Sequence, residues 1–356
     1  MTLRNSLGQC CLVMKGILPL LFATAALAIP AHAQNATTTP VGAMTYTINA
    51  YSTKAIALPL QDSISLDFVG RSSGVISSLT SNTITATEAG WTPGALSVAA
   101  TPFFIKITSG AQEGRLLEIS TSVAAQNTAT TVTVANQGTD LSTLGILTGA
   151  TGDTFQIIPA DTLGSLFGTS TFGGTSYKTS DNIQRWTGVN WQTFYYNTAN
   201  NRWQSSTSTN SANNVILRPD TGYLYVRRGS TPINLAFYGT VPIDPAKIIV
   251  RNSGGSYIGN SFPVDVALST FSGIPGWVST DSPTTSDRVS RWNGTQWQKF
   301  YFDSVDNRWE LTTTRANASA VKIAFGTPVM IERVGTAPGI ATLSQPLPYN
   351  PFLPSN

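Results

Sequence analysis

Short runs of alternating apolar and polar residues dominate this chain from Thr45 onward. "TYTINAY", "KAIALPL", "ISLDFVG", "GVISSL", "NTITAT", "FFIKITSG", "GRLLEIST", "TTVTVAN" and "TFQIIP" are each rich in β-branched or aromatic residues and bounded by Gly, Asn, Ser, Asp or Pro. A period of two sends successive side chains to opposite faces, so these runs predict strands of an antiparallel sandwich or barrel. Helical patterns long enough to serve as crossovers do not separate them, which argues against a parallel α/β sheet. The best short helix is "PADTLGSLFG", with Asp161 as N-cap and Gly168 as the stop, and another is expected at "PVDVALSTF". The fold class is therefore all-β, with one or two short helices.

The second half repeats itself. Thr179 to Trp203 and Thr285 to Trp309 align without a gap at an offset of 106 and share thirteen of twenty-five residues. Weaker matches continue at that offset through Gly229 and Gly335, Pro232 and Pro338, and Pro242 and Pro348. The repeating unit spans residues 175–242 and 281–348, which suggests a duplicated domain or two paired sheets. In the second copy, "RWNGTQWQKFYFDSVDNRW" predicts a three-strand meander: one strand ends at Trp292, Asn293-Gly294 turns, the next runs from Trp297 to Phe302, and the third starts at Arg308-Trp309. Alternation assigns Phe300 and Phe302, with their matches Phe194 and Tyr196, to the core face. Trp297, Lys299 and Tyr301, with their matches Trp191, Thr193 and Tyr195, point the other way.

The ends set the compartment. Arg4 and Lys15, the 14-residue apolar run "GILPLLFATAALAI" and the small-residue site Ala31-His32-Ala33 form an export signal over residues 1–33. That run is short against the roughly 20 helical residues needed to span a bilayer. A polar linker is expected over residues 34–42, a β domain over 43–160, the repeat-bearing β domain over 161–348 and a Pro-rich tail over 349–356. Cys10, Cys11 and His32 all lie within the signal, so cleavage leaves a chain with neither residue type. Disulfides, thiolate nucleophiles, zinc sites of the cysteine/histidine kind and Ser-His-Asp triads are thereby excluded from the mature chain.

Composition changes little else. Without Arg4 and Lys15 the mature chain carries 19 basic and 18 acidic residues, a net charge of +1, and its basic residues are dispersed, so nucleic acid is not an expected partner. The pair Arg227-Arg228 reads as the point where a strand leaves its sheet. Eighteen acids offer many carboxylate pairs, among them Asp181 with Asp220 and Asp287 with Glu332, but no pattern selects one, and the chain reads as non-catalytic. Asp181, Asp287, Asp303 and Asp306 are candidates for a Ca²⁺ site, yet the first copy has Asn197 and Asn200 in place of the last two, which favours turn-stabilising roles. Arg202 and Arg308 are expected to pair alike in both copies. No metal or cofactor is expected.

The residues Trp191, Tyr195, Trp297 and Tyr301 are the candidates for ligand stacking. A Trp-and-Tyr ladder beside Lys, Thr and Gln suits a sugar ring, a homotypic contact, or packing between two β-layers. Packing is the expected use, because each such ring buries on the order of 150 to 250 Å².

The segments "FFIKITSGAQEGRLLEI", "GDTFQIIPADTLGSLFG" and "SDRVSRWNGTQWQKFYFDSVDNRW" together resemble a family of uncharacterised secreted proteins that occurs as many paralogues in Verrucomicrobia. The resemblance covers nearly all of the mature chain and implies export and bacterial origin. It carries no catalytic residue. The expected function is a non-catalytic structural or adhesive protein of the cell envelope or extracellular surface, with polysaccharide or other envelope proteins as partners. Carbohydrate binding on Trp/Tyr platforms is the alternative, and a carboxylate-dependent glycosidase the more distant one. The processed chain should hold no stoichiometric zinc by elemental analysis and should melt at the same temperature with and without a thiol reductant; tightly bound zinc would contradict this.

Overall fold

Two strands at the start of the chain set the plan of the molecule, β1 (Val41–Ile48) and β2 (Thr53–Ala57). The computed structural model describes residues 40–61, 71–135, 139–169 and 172–350. The expected export signal, the expected strand at "ISLDFVG" and residues 351–356 of the tail lie outside the described residues. Val41 and Gly42, expected in a linker, already belong to β1 because they pair with Thr240 and Gly239.

After β2 come β3 (Ser73–Val75), β4 (Ser78–Leu79), β5 (Thr83–Thr85), β6 (Phe103–Ile107), β7 (Leu116–Ile119), β8 (Thr131–Ala135) and β9 (Thr154–Pro159). They form one antiparallel sheet, ordered β3-β9-β6-β7-β8-β5-β4, over a core that includes Trp91, Ile105, Leu117 and Phe155. The short helix α1 (Leu163–Phe167) follows. Its N-cap is Thr162 rather than Asp161: Thr162 Oγ1 accepts from the Ser165 amide at 3.0 Å while Ser165 Oγ accepts from the Thr162 amide at 2.8 Å, a reciprocal box that a carboxylate one residue earlier does not complete. Gly168 ends the helix as expected.

The first repeat supplies β10 (Asn182–Trp186), β11 (Trp191–Asn197), β12 (Arg202–Ser205), β13 (Ser208–Ser211), β14 (Gly222–Val226) and β15 (Ile233–Thr240). β1 and β2, expected with the strands of the first half, pair instead with β15 and β14. The result is a sheet ordered β13-β12-β11-β10-β14-β2 faced by the β1-β15 ribbon, with Ile48, Phe194, Trp203, Tyr223 and Phe237 between them.

The second half follows the same plan with β16 (Ala246–Arg251), β17 (Gly254–Ile258), β18 (Val266–Ala267), β19 (Arg288–Trp292), β20 (Trp297–Asp303), β21 (Arg308–Leu311), β22 (Lys322–Ile323), β23 (Val329–Arg333) and β24 (Ile340–Gln345). The helix expected at "PVDVALSTF" is the strand β18 followed by a 3-10 helix, Leu268–Gly273. The sheet runs β21-β20-β19-β23-β17, and the β16-β24 ribbon faces it over Val250, Val289, Phe300, Trp309 and Ile331.

The duplicated unit is therefore longer than the visible repeat. In the first copy β1 and β2 take the places that β16 and β17 take in the second, and the seven-strand sheet is an insertion between β2 and β10. Arg218 ties the insertion down: its Nη2 donates to the Leu116 carbonyl at 3.1 Å, and its guanidinium lies 5.3 Å from the Phe104 ring centre.

The two meanders match strand for strand, with Trp186 opposite Trp191 and Trp292 opposite Trp297. In the first turn of each meander only the glycine takes a positive φ, 98° at Gly188 and 104° at Gly294, and in the second turn Asn201 and Asn307 do so at 53° and 50°. Asn293 instead supports its turn through the side chain, whose Oδ1 accepts from the Thr295 and Gln296 amides. Phe194 and Phe300 are buried in the two cores as alternation requires. Phe300→Ala should lower stability by about 3 to 5 kcal/mol through lost transfer energy and a residual cavity, read as a shift in the denaturant midpoint. An unmoved midpoint would invert the two faces.

Candidate functional site

The faces of β11 and β20 that turn away from the cores meet each other across the seam between the two copies. There Ala55, Leu224, Tyr257 and Met330 are buried, with Trp186, Trp191, Trp292 and Trp297 packed half-buried around them. The register makes these residues pairs: Ala55 faces Leu224 on β14 as Tyr257 faces Met330 on β23. Five rings run in a row, Trp186 to Trp191 at 5.4 Å, Trp191 to Tyr257 at 5.2 Å, Tyr257 to Trp297 at 5.7 Å and Trp297 to Trp292 at 5.5 Å between centres. Every contact is edge-to-face, with ring planes 60° to 80° apart. Edge-to-face packing satisfies the quadrupoles of the rings. It also turns the three inner rings toward their neighbours, whereas a sugar platform needs open, level faces; the end rings Trp186 and Trp292 each line a cavity.

Both end indoles reach into the opposite copy. Trp186 Nε1 donates to the Gly255 carbonyl at 2.9 Å, and Trp292 Nε1 donates to the Thr53 carbonyl at 3.0 Å. Gly255 lies on β17 and Thr53 on β2, the edge strands of their sheets. Tyr257 was not singled out in the sequence, because its counterpart Ala55 is too small to make the pair recognisable.

The tyrosines of the ladder separate from its tryptophans. Tyr195 is half-buried, with its ring 6.5 Å from that of Tyr177. Tyr301, a candidate stacking residue, is 0% exposed and offers no face to a ligand. Its hydroxyl is drawn inward, donating to Glu310 at 2.7 Å and Asp303 at 3.2 Å. Arg308 and Arg315 complete this network: Arg308 binds Glu310 through Nε and Nη2, and Arg315 binds both Glu310 and Asp303. At the matching positions the first copy has Asn197, Gln204 and Thr209, joined by an Asn197 Nδ2 to Gln204 Oε1 bond of 2.8 Å and a Gln204 Nε2 to Thr209 carbonyl bond of 2.6 Å. One copy thus uses charge where the other uses amides. Arg202 accordingly does not pair as Arg308 does: it donates to the Thr209 carbonyl, since Gln204 offers no charge to fork onto.

Asp181, Asp220, Asp287 and Glu332 also have partners. Asp181 is held by Arg227 at 2.8 Å, by the Tyr225 hydroxyl and by the Arg228 amide; its match Asp287 is held by Arg333 at 2.7 Å and by the Val278 and Val334 amides. Asp220 is paired with Arg218, and Glu332 with Arg288 and Lys299. Asp303, Asp306 and Glu310 bring carboxylate oxygens within 4.8 Å of one another, but Arg308 and Arg315 occupy that space. Asp303 Oδ1 accepts from the Val305 and Asp306 amides, and Asn197 Oδ1 accepts from the Ala199 and Asn200 amides, so both act as the expected turn residues.

Two cavities flank the aromatic row. The larger, about 530 Å³, is lined by Trp186, Gly188, Arg218, Asp220, Arg251 and Tyr257 among others. The smaller, about 220 Å³, lies at the matching place beside Trp292, Gly294, Lys54, Ala55 and Ala324.

Donation from the Asp306 amide, with further bonds from Val305, Arg315 and Tyr301, holds the Asp303 carboxyl at about 2. The Tyr301 hydroxyl, followed by the two arginines, holds Glu310 below its ordinary value. Depressed carboxyls stabilise the fold above their unfolded values, about 3.9 for Asp and 4.3 for Glu, and that contribution is lost as pH falls toward the folded values. Asp303→Asn, Glu310→Gln and Arg315→Thr combined reproduce the amide version of the first copy. This variant should lose less melting temperature than the wild type between about pH 5 and pH 2. Parallel pH profiles in thermal melts would refute the assignment.

No protein-family model matches this chain, and comparison with curated proteins and with solved structures gives no match either, so the functional reading rests on the geometry of the molecule itself.

Proposed function

We propose that this chain is an exported, non-catalytic structural or adhesive protein of the bacterial cell envelope or extracellular surface. The observation that carries the reading is the use made of the aromatic row: Trp186, Trp191, Tyr257, Trp297 and Trp292 join one copy of the fold to the other, with both end indole N–H groups committed to carbonyls of the opposite copy. The acids support it as well. Asp181, Asp220, Asp287, Asp303, Glu310 and Glu332 are each engaged by arginine or lysine, which leaves none of them poised as the uncommitted acid and base of a glycosidase. Export is supported by the leader at residues 1–33 and by the likeness to secreted verrucomicrobial proteins. Among the described residues no helix is long and apolar enough to cross a membrane.

Carbohydrate binding is the second reading, favoured by the two cavities that begin at Trp186 and Trp292. Trp297→Ala separates the readings. Removing a half-buried indole from the row should cost about 2.5 kcal/mol of stability, from some 100 Å² of apolar area at roughly 25 cal/mol per Å². The melting temperature of the purified variant should fall, while its retention on an insoluble polysaccharide, scored against the wild type below the melting range, should not change. An unchanged melting temperature with lost retention would reverse the order.

A further inference from the structure

The two copies share a framework of tryptophans, buried ion pairs and turn glycines, and differ at the Tyr301 network, at Tyr257 and at the larger cavity. Trp186 and Trp292 match, as do Asp181 and Asp287, Arg227 and Arg333, and Gly188 and Gly294. At the cavity, however, the first copy has Arg218 and Asp220 where the second has Ala324 and Gly326. Arg251 faces Ile340 on its neighbouring strand, while Thr47 holds the same register position on β1, facing Asn234. Arg218 also anchors the inserted sheet, which the second copy lacks, so the difference that bears on the cavity is Arg251, in place of which the β1 ribbon carries Thr47.

These charges are arranged. Arg251 is exposed, and among the described residues it has no carboxylate in ion-pair range. It is nonetheless held in place: Nη2 donates to the Thr187 carbonyl at 3.1 Å, and the guanidinium lies so close under Gly188 that a Cβ there would stand 2.3 Å from Cζ. The matching Gly294 has open space instead. A cation fixed before a ligand arrives loses little freedom on binding. Deeper in, Arg218 spends Nε and Nη2 on Asp220 and keeps Nη1 buried without a partner. The volume, about 530 Å³, falls within the roughly 300 to 1,000 Å³ of small-ligand sites.

We propose that this cavity binds a uronic acid unit of an acidic polysaccharide. The carboxylate lies on Arg251, whose planar fork suits two parallel bonds. The pyranose ring packs against the Trp186 indole, and the hydroxyls bond Asp220 and Arg218. This builds on the adhesive part of the proposed function by naming what is held; the smaller cavity, lined by Lys54, Arg291, Trp292 and Ala324 among others, has Ala324 in place of Arg218 and no acid in its lining.

The test uses the full mature chain and isothermal titration with D-glucuronate, a short oligogalacturonate, D-glucose and acetate. Glucuronate and the oligomer should bind, and D-glucose and acetate should bind about tenfold or more weakly, since a charge-assisted bond and the ring contact are each needed. Arg251→Ala should weaken glucuronate about tenfold or more at an unchanged melting temperature, Arg251→Lys should restore part of the loss, and Lys54→Ala at the smaller cavity should leave binding intact. Failure of both uronates to bind, equal binding of glucose or acetate, or full affinity in Arg251→Ala overturns the assignment. Such a failure alongside a destabilised Trp297→Ala removes this ligand and leaves the structural reading standing; a Trp297→Ala that keeps its melting temperature removes that reading instead.

Discussion

Two indole hydrogen bonds, each crossing the seam between the copies, are the constraint on which this architecture turns. A sheet edge leaves carbonyls unpaired, and buried ones need a donor. β2 and β17 are such edges, and the donors at Thr53 and Gly255 are tryptophans of the other copy. The exchange is reciprocal, so neither sheet completes its own edge alone. Tyr257 fills the centre of the seam between Trp191 and Trp297 because its counterpart Ala55 leaves room for only one large side chain there.

Within each copy a buried ion pair plays a comparable part. Asp181 and Arg227 are 3% and 1% exposed at their side chains, and Asp287 and Arg333 are 0% and 4%. Such pairs add little net stability over an apolar substitute, but losing one partner leaves an uncompensated charge worth about 3 to 5 kcal/mol. Each aspartate also accepts a backbone amide just beyond a strand of its sheet, Arg228 after β14 in one copy and Val334 after β23 in the other. The pair thereby fixes where that strand turns toward the ribbon that closes the core. Burial also pushes the Tyr225 hydroxyl beside Asp181 well above its ordinary value, so it remains a donor to the carboxylate.

Divergence between the copies separates scaffold from chemistry. The exchange of Asp303, Glu310 and Arg315 for Asn197, Gln204 and Thr209 keeps a closed hydrogen-bonded network, which makes it a change of pH response within one shape. The charges around Arg251 have no such counterpart.

Alternation along "WQKFYF" placed Phe300 inward, and the 106-residue offset identified the matching strand, because both signals are local and periodic. The polar partner that holds Tyr301 inward was not legible, since Glu310 reaches its hydroxyl only after β20 and β21 pair. Nor did the text of the chain show that Thr162 outcompetes Asp161 as a cap, a choice made by one Ser165 hydroxyl. By itself the sequence determined the strand class, the duplication and the core face of each meander. Only the tertiary structure decided what covers the other face: β2 reaches β14 across an insertion of more than a hundred residues, and pairing over that distance leaves no periodic trace in either segment.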